Sequence, residues 1–307
     1  MTPNNYSAED WFKRGAEHYR DNEYQDACDC FRKATDLDPH FAQAYNDWGV
    51  ALSDLLDQTG TEHYFAEAVD KYRKATQVKP DYAMAYYNWA NLLSDLGEVF
   101  DDPQMYAESV EKYRQAAKFS PNDADIYYSW ANALLALADL KKDEKHYELC
   151  IDKYAKAAEL NPDEAEIYNN WAIALSGYAR FKQDKSLMLE SFGKYERAIE
   201  LRPDSIKARF NMALDMLALA KAENDIDTYK DEIEKRFLKT YELNSRKAAY
   251  NLACLYALTG EKDKAFDWLE KMLATTSVTR EFIEVEPDFA NIRDDKRFDG
   301  LLTRYRS

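Results

Sequence analysis

The chain has 307 residues, 46% hydrophobic and 14% aromatic, with 23 tyrosines but only eight glycines and eight prolines. That composition excludes wholesale disorder and favours long helices. A formal charge of −16 argues against nucleic acid and anionic membrane as partners, because both require clustered Lys and Arg.

Residues 1–10 lack a basic or strongly apolar leader, and no later apolar run is long enough to span a bilayer, so a cytoplasmic protein is expected. Trp11, Gly15, Ala27, Phe31 and Ala34 then lead to Pro39 in a two-helix pattern, with His18 on a predicted buried position. Cys28 and Cys30 point in different directions on their helix, and with Cys150 and Cys254 they form neither a CxxC nor a zinc spacing, so buried reduced thiols are expected.

From Pro39 onward a fixed interval appears: Pro80, Pro121, Pro162 and Pro203 each follow the previous proline by 41 residues. Trp48, Trp89, Trp130 and Trp171 keep the same step, continued by Met212, as do Phe31, Tyr72, Tyr113, Tyr154 and Tyr195. A repeat of this length is the mark of a solenoid, in which each unit buries its apolar face against its neighbours. Within one unit, Tyr86, Trp89, Ala90 and Leu93 form the stripe of one helix, and Tyr106, Ser109, Tyr113 and Ala116 form that of a second. The second helix ends at Pro121, and Asn122 and Asp123 can cap the next.

Small residues at the helix crossing (Gly49, Ala90, Ala131, Ala172, Ala213), a later aromatic-x-x-Ala and a closing Pro resemble the tetratricopeptide repeat (TPR), in a bacterial-type array. The resemblance implies an all-α, right-handed superhelical α-solenoid of about seven hairpins with a C-terminal helical cap. The array covers 1–279, with units at about 8–41, 42–82, 83–123, 124–164, 165–205, 206–245 and 246–279, and the cap covers 280–307. The middle units exceed the usual 34 residues by about seven. The insert is either a flexible loop or about one extra turn on each helix; Val99, Phe100, Leu137, Leu140, Tyr178, Phe181, Leu217 and Leu219 suit a continued packed stripe. In the last segment Phe282, Phe289, Ile292, Phe298, Leu301 and Leu302 are placed to cover the terminal apolar face.

The same resemblance places the position before the Trp column on a concave groove, here Asp47, Asn88, Ser129, Asn170, Asn211 and Asn251. A carboxamide offers both a donor and an acceptor to the backbone of an extended peptide. Tyr87 and Tyr128 lie beside this column, and Asn91 and Asn132 lie one turn further on. The alternative is that these Asn and Tyr side chains only pack neighbouring helices. The chaperone-tail carboxylate clamp is excluded in units one to three, where Phe12, Ala16, Asp47, Met84 and Asn88 supply no cation. Asp54 and Asp95 instead favour a neutral or basic segment.

No phosphate loop, HExxH or GxSxG occurs, and His18, His40, His63 and His146 are scattered, so no catalysis, cofactor or metal is expected. The chain therefore reads as a monomeric adaptor for a peptide or partner protein. The alternatives are a regulatory subunit of an enzyme complex and a self-assembling scaffold.

Overall fold

A computed structural model describes residues 6–243, 246–275 and 279–305, all of their regular secondary structure helical. The expected unit end at Asn244 and Ser245, the approach to the cap at 276–278, and both extreme termini lie outside the described residues. The chain divides into two compact units at the bond between Pro162 and Asp163.

The amino-terminal unit comprises α1 (Ala8–Arg20), α2 (Tyr24–Leu37), α3 (Ala42–Thr59), α4 (His63–Val78), α5 (Ala83–Phe100), α6 (Pro103–Phe119), α7 (Ala124–Lys141) and α8 (Glu144–Leu160). These pair as antiparallel hairpins, and the first helix of each hairpin also packs on the first helix of the next. The carboxy-terminal unit comprises α9 (Ala165–Lys182), α10 (Lys185–Leu201), α11 (Ile206–Ala222), α12 (Ile226–Glu242), α13 (Lys247–Leu258) and α14 (Lys262–Leu273). They are followed by α15 (Arg280–Val285), a 3-10 turn at Pro287–Phe289, and α16 (Lys296–Arg304).

The hairpin turns have a common chemistry. Asn22, Gly60, Asp101, Lys142, Gln183, Asn224 and Gly260 all have positive φ, one at each first-to-second helix junction. A left-handed residue is the usual way to stop a helix and reverse the chain, and glycine is its preferred occupant. After the turns at 101, 142 and 183, an aspartate caps the next helix: the side chains of Asp102, Asp143 and Asp184 accept from the backbone N–H two residues on. The residues between the long stripes are therefore helical up to a two-residue turn. α5, α7 and α9 have 18 residues each, against 13 in α1 and 12 in α13.

Packing follows the small-residue column. A methyl group added to Gly49 would lie 2.7 Å from the Tyr72 ring, and one on Gly15 would lie 2.7 Å from Phe31. The aromatic of the second helix thus presses directly on the backbone of the first. Tyr72, Tyr113, Tyr154 and Tyr195 are all buried. Outside each crossing, a lysine from the second helix lies over the tryptophan of the first: Lys71 over Trp48 at 4.2 Å, Lys112 over Trp89 at 3.8 Å, Lys153 over Trp130 at 4.7 Å and Lys194 over Trp171 at 3.7 Å. The Trp column is thus capped by cations from within its own hairpin.

Three expectations need correction. Leu137, Tyr178, Leu217 and Leu219 continue the packed stripe, but Val99, Phe100, Leu140 and Phe181 are exposed, Val99 at 71%. Val99, Leu140 and Phe181 each lie two residues beyond a buried Gly97, Ala138 or Ala179, and two residues on a helix is a turn of about 200° away from the core. His18 is half-buried, with Nδ1 2.6 Å from Glu23 Oε2. Phe282 is exposed, whereas Phe289, Ile292, Phe298, Leu301 and Leu302 join the core of their unit beside Leu252 and Trp268. All four cysteines are free and buried.

Candidate functional site

The first helices set side chains from the carboxamide column beside one another within each unit. On α3, Asn46 is buried, donates from Nδ2 to Asp47 Oδ1 at 2.9 Å and accepts from Asn88 Nδ2 of α5 at 3.1 Å. The next step is made by hydroxyls, Tyr87 of α5 to Ser129 of α7 at 3.3 Å. In the other unit Asn169 is buried, donates to Asn170 Oδ1 at 2.9 Å and accepts from Asn211 Nδ2 at 3.5 Å. Within each unit the column is thus hydrogen-bonded across neighbouring first helices, α3 to α5 and α5 to α7 in one and α9 to α11 in the other, and Asn46 and Asn169 carry the buried bonds. A buried amide with partners on both sides holds its neighbours in fixed rotamers.

Asn91 and Asn132 have a structural partner. Tyr113 donates its hydroxyl to Asn91 Oδ1 at 2.7 Å, and Tyr154 donates to Asn132 Oδ1 at 2.5 Å. A fully buried phenol needs an acceptor, and these carboxamides supply it. Tyr128 packs edge-on against Tyr154 with centroids 6.1 Å apart, and Tyr87 lies 6.0 Å from Tyr113. Asn251 is buried and donates to the Lys247 carbonyl at 3.2 Å. Asn88, Asn170 and Asn211 remain half-buried on the face.

Sequence reasoning missed Asp215. It is buried on α11, where it accepts from Tyr195 at 2.9 Å and pairs with Arg180 of α9 at 2.7 Å. The step of 41 residues could have revealed it, because Ala51, Leu92, Ala133 and Ala174 hold that position elsewhere. A carboxylate among apolar equivalents must bring partners with it.

Between α1, α3 and α5 the face opens into a cavity of about 350 Å³, lined by Tyr19, Phe31, Asn46, Asp47, Met84 and Asn88 among others. Burial pushes the Asp47 carboxyl up, partly offset by the Asn46 bond. Burial, and then the charges of Asp57 and Glu98, push Asp95 up to about 6.

Among the described residues two clusters offer metal-type ligand atoms within 4.8 Å of one another: His18, Glu23 and Asp26, and Cys254, Glu286 and Asp288. In the second, the Lys221 ammonium lies 2.5 Å from Asp288 and Tyr250 donates to Glu286, so both carboxylates already have partners. Burial holds the Cys254 thiol well above its ordinary value. No helix among the described residues is long and apolar enough to cross a membrane.

Stacked hairpins with small residues at each crossing and aromatics pressed against them define a TPR-like helical-repeat protein. Residues 2–168, more than half of the chain, match the family described as soluble NSF attachment protein, SNAP, and the chain belongs to that family. No curated protein sequence matches it. Among solved structures, the C-terminal part of a TPR repeat-containing protein from Cytophaga hutchinsonii is similar, with a TM-score of 0.65 and 14% identity over 89% of this chain and 98% of that one. MamA from Desulfovibrio magneticus RS-1, from residue 41 to its end, gives a TM-score of 0.50 and 17% identity over 64% and 96%. YrrB, described as a TPR protein with an unusual peptide-binding site, gives 0.49 and 18% over 70% and 92%. At these identities the likeness is one of fold.

Proposed function

We propose that this protein is a non-catalytic adaptor, cytoplasmic and monomeric, that binds an extended segment of a partner protein along the groove formed by its first helices. In this reading 1–279 is an array of seven TPR-like repeats, its middle members lengthened by about one turn per arm, and 280–307 is a cap. The lengths of α5, α7 and α9 and their two-residue turns support the lengthening. Membership of a family named for attachment proteins supports an adaptor role.

The observation that carries the proposal is the fixed ladder of carboxamides. Asn88 and Asn211 each spend a donor on a buried neighbour, which orients the side chain while its carbonyl oxygen and second N–H are left for a peptide backbone. In the amino-terminal unit Tyr87 on α5 and Tyr128 on α7 add rigid aromatic walls. The unpaired acids of the amino-terminal unit favour a neutral or basic segment.

Affinity capture from cell lysate with the intact protein and with Asn88→Ala/Asn170→Ala/Asn211→Ala tests this, with circular dichroism melting to confirm that both are folded. Loss of a partner from the triple variant alone supports the groove; the same partners on both proteins would exclude it.

A further inference from the structure

The amino-terminal unit carries a charge pattern that its own packing does not use. Asp47 and Asp54 lie seven residues apart on α3 and share a face, with Asp57 one turn on, while Asp95 and Glu98 hold the positions of Asp54 and Asp57 on α5. None of the five makes an ion pair among the described residues. The lysines of the second helices are engaged elsewhere: Lys71 and Lys153 pair with Asp70 and Asp152 while lying over Trp48 and Trp130, and Lys112 lies over Trp89. The raised Asp95 carboxyl reflects burial and this uncompensated crowding.

At the α1 side of this face lies the cavity of about 350 Å³ whose walls include Tyr19, Phe31, Met84 and Asp47. One oxygen of Asp54 is shut off from solvent without a hydrogen-bond partner. Burial and a hydrogen bond to Asp54 hold the Tyr19 phenol well above its ordinary range. A carboxylate oxygen in that state lacks the donor that would offset its lost hydration.

We infer that this cavity receives an arginine or lysine side chain from an extended, basic partner segment, with Asp47 as the counter-charge at the cavity and Asp54 and Asp95 continuing the acidic track. The inference rests on the adaptor reading. The chemistry of the walls selects such an occupant. Long cationic side chains bury an apolar stem and keep a charged head near a carboxylate. Tyr19, Phe31 and Met84 offer surface for the stem, Asp47 meets the head, and Asn88 is placed to bond the segment's backbone. An acidic segment would meet five like charges, and an apolar one would bring Asp47 no counter-charge.

Fluorescence anisotropy with the intact protein and three short labelled Gly/Ser peptides, carrying a central pair of arginines, glutamines or glutamates, tests the inference. The arginine peptide is expected to bind about tenfold more tightly than the glutamine peptide, and the glutamate peptide more weakly than either. Asp47→Asn/Asp54→Asn should bring arginine-peptide binding down to the level of the glutamine peptide on the same variant. Asp36→Asn/Glu108→Gln, an equal charge change on the second helices α2 and α6, should retain it.

Equal loss from the second-helix pair would reduce the effect to net charge and overturn the site. Equal binding of the arginine and glutamine peptides would overturn cation selection, yet the groove would stand if Asn88→Ala weakened both. No arginine-peptide binding up to about 1 mM would also overturn the inference, leaving the capture experiment to judge the adaptor reading. The comparison between peptides needs no variant, so it holds even if a substitution perturbs folding.

Discussion

Equivalent positions of the two units carry opposite charges and do different work. At the last turns of the first helices the amino-terminal unit has Asp57, Glu98 and Asp139, while continued steps of 41 residues reach Arg180 and Lys221 in the carboxy-terminal unit. The two cations are used internally, Arg180 on buried Asp215 and Lys221 on buried Asp288. Among the described residues, only Asp139 of the three acids has a partner, accepting from the Tyr147 hydroxyl. One scaffold position therefore staples the fold in one unit and contributes to an uncompensated field in the other. A periodic position fixes where a side chain stands, and its neighbours fix what that side chain does.

The contrast can be broken most directly at Asp215. Asp215→Ala strips an acceptor from Tyr195 and a counter-charge from Arg180, and is expected to lower unfolding free energy by about 3 kcal/mol in urea denaturation. Asp54→Asn, in the amino-terminal unit, should cost nothing measurable. Equal losses from both would mean that the acids of the amino-terminal unit are as structural as Asp215.

A smaller effect is expected at the buried tyrosines. Tyr113→Phe leaves Asn91 without its donor and should cost about 1 kcal/mol. Tyr72, whose hydroxyl meets Ser53 at 3.2 Å, should tolerate the same change better, because Ser53 also bonds the Gly49 carbonyl. Thermal melts of the two variants distinguish the cases.

Asp95 makes the comparison depend on pH. Its folded-state carboxyl titrates at about 6 against an ordinary 3.8, so between these values the folded protein holds a proton that the unfolded chain has lost. Stability then falls as pH rises through this window, and the whole penalty is present above about pH 6. Asp95→Asn should raise the melting temperature at pH 7.5, a gain of at most about 1 kcal/mol for this partly exposed group. The gain should shrink toward pH 4; one that does not change with pH would show that charge crowding is not its cause.

The smallest expected effect lies at the turns. Lys142→Gly and Gln183→Gly place glycine where φ is 51° and 54°, and each should stabilise by about 0.5 kcal/mol. Unchanged midpoints in denaturant would show that these turns carry no strain.

Much of the architecture was legible because it depends on local sterics that recur. Proline stops a helix wherever it occurs, and Gly49 admits the Tyr72 ring because it has no side chain. The turns were harder to read, since Lys142 and Gln183 adopt a glycine-like conformation without being glycine. The apolar tips misled for a related reason: Val99 and Phe181 are hydrophobic, but helical phase points them outward. At the candidate site the column of Asn88, Asn170 and Asn211 was visible with Asn46 and Asn169 beside it, whereas the bonds by which Asn46 and Asn169 anchor it and the pairing of Asn91 with Tyr113 were not.

The sequence by itself determined the helical hairpins, their interval and the acidic balance, because periodicity, proline and residue size act over a few neighbouring residues. Only the tertiary structure decided which polar groups are spent inside the fold and which remain for a partner. Hydrogen bonds such as Asn88 to Asn46 and Tyr195 to Asp215 join residues 42 and 20 positions apart, and burial, which sets their worth, exists only once the hairpins have packed.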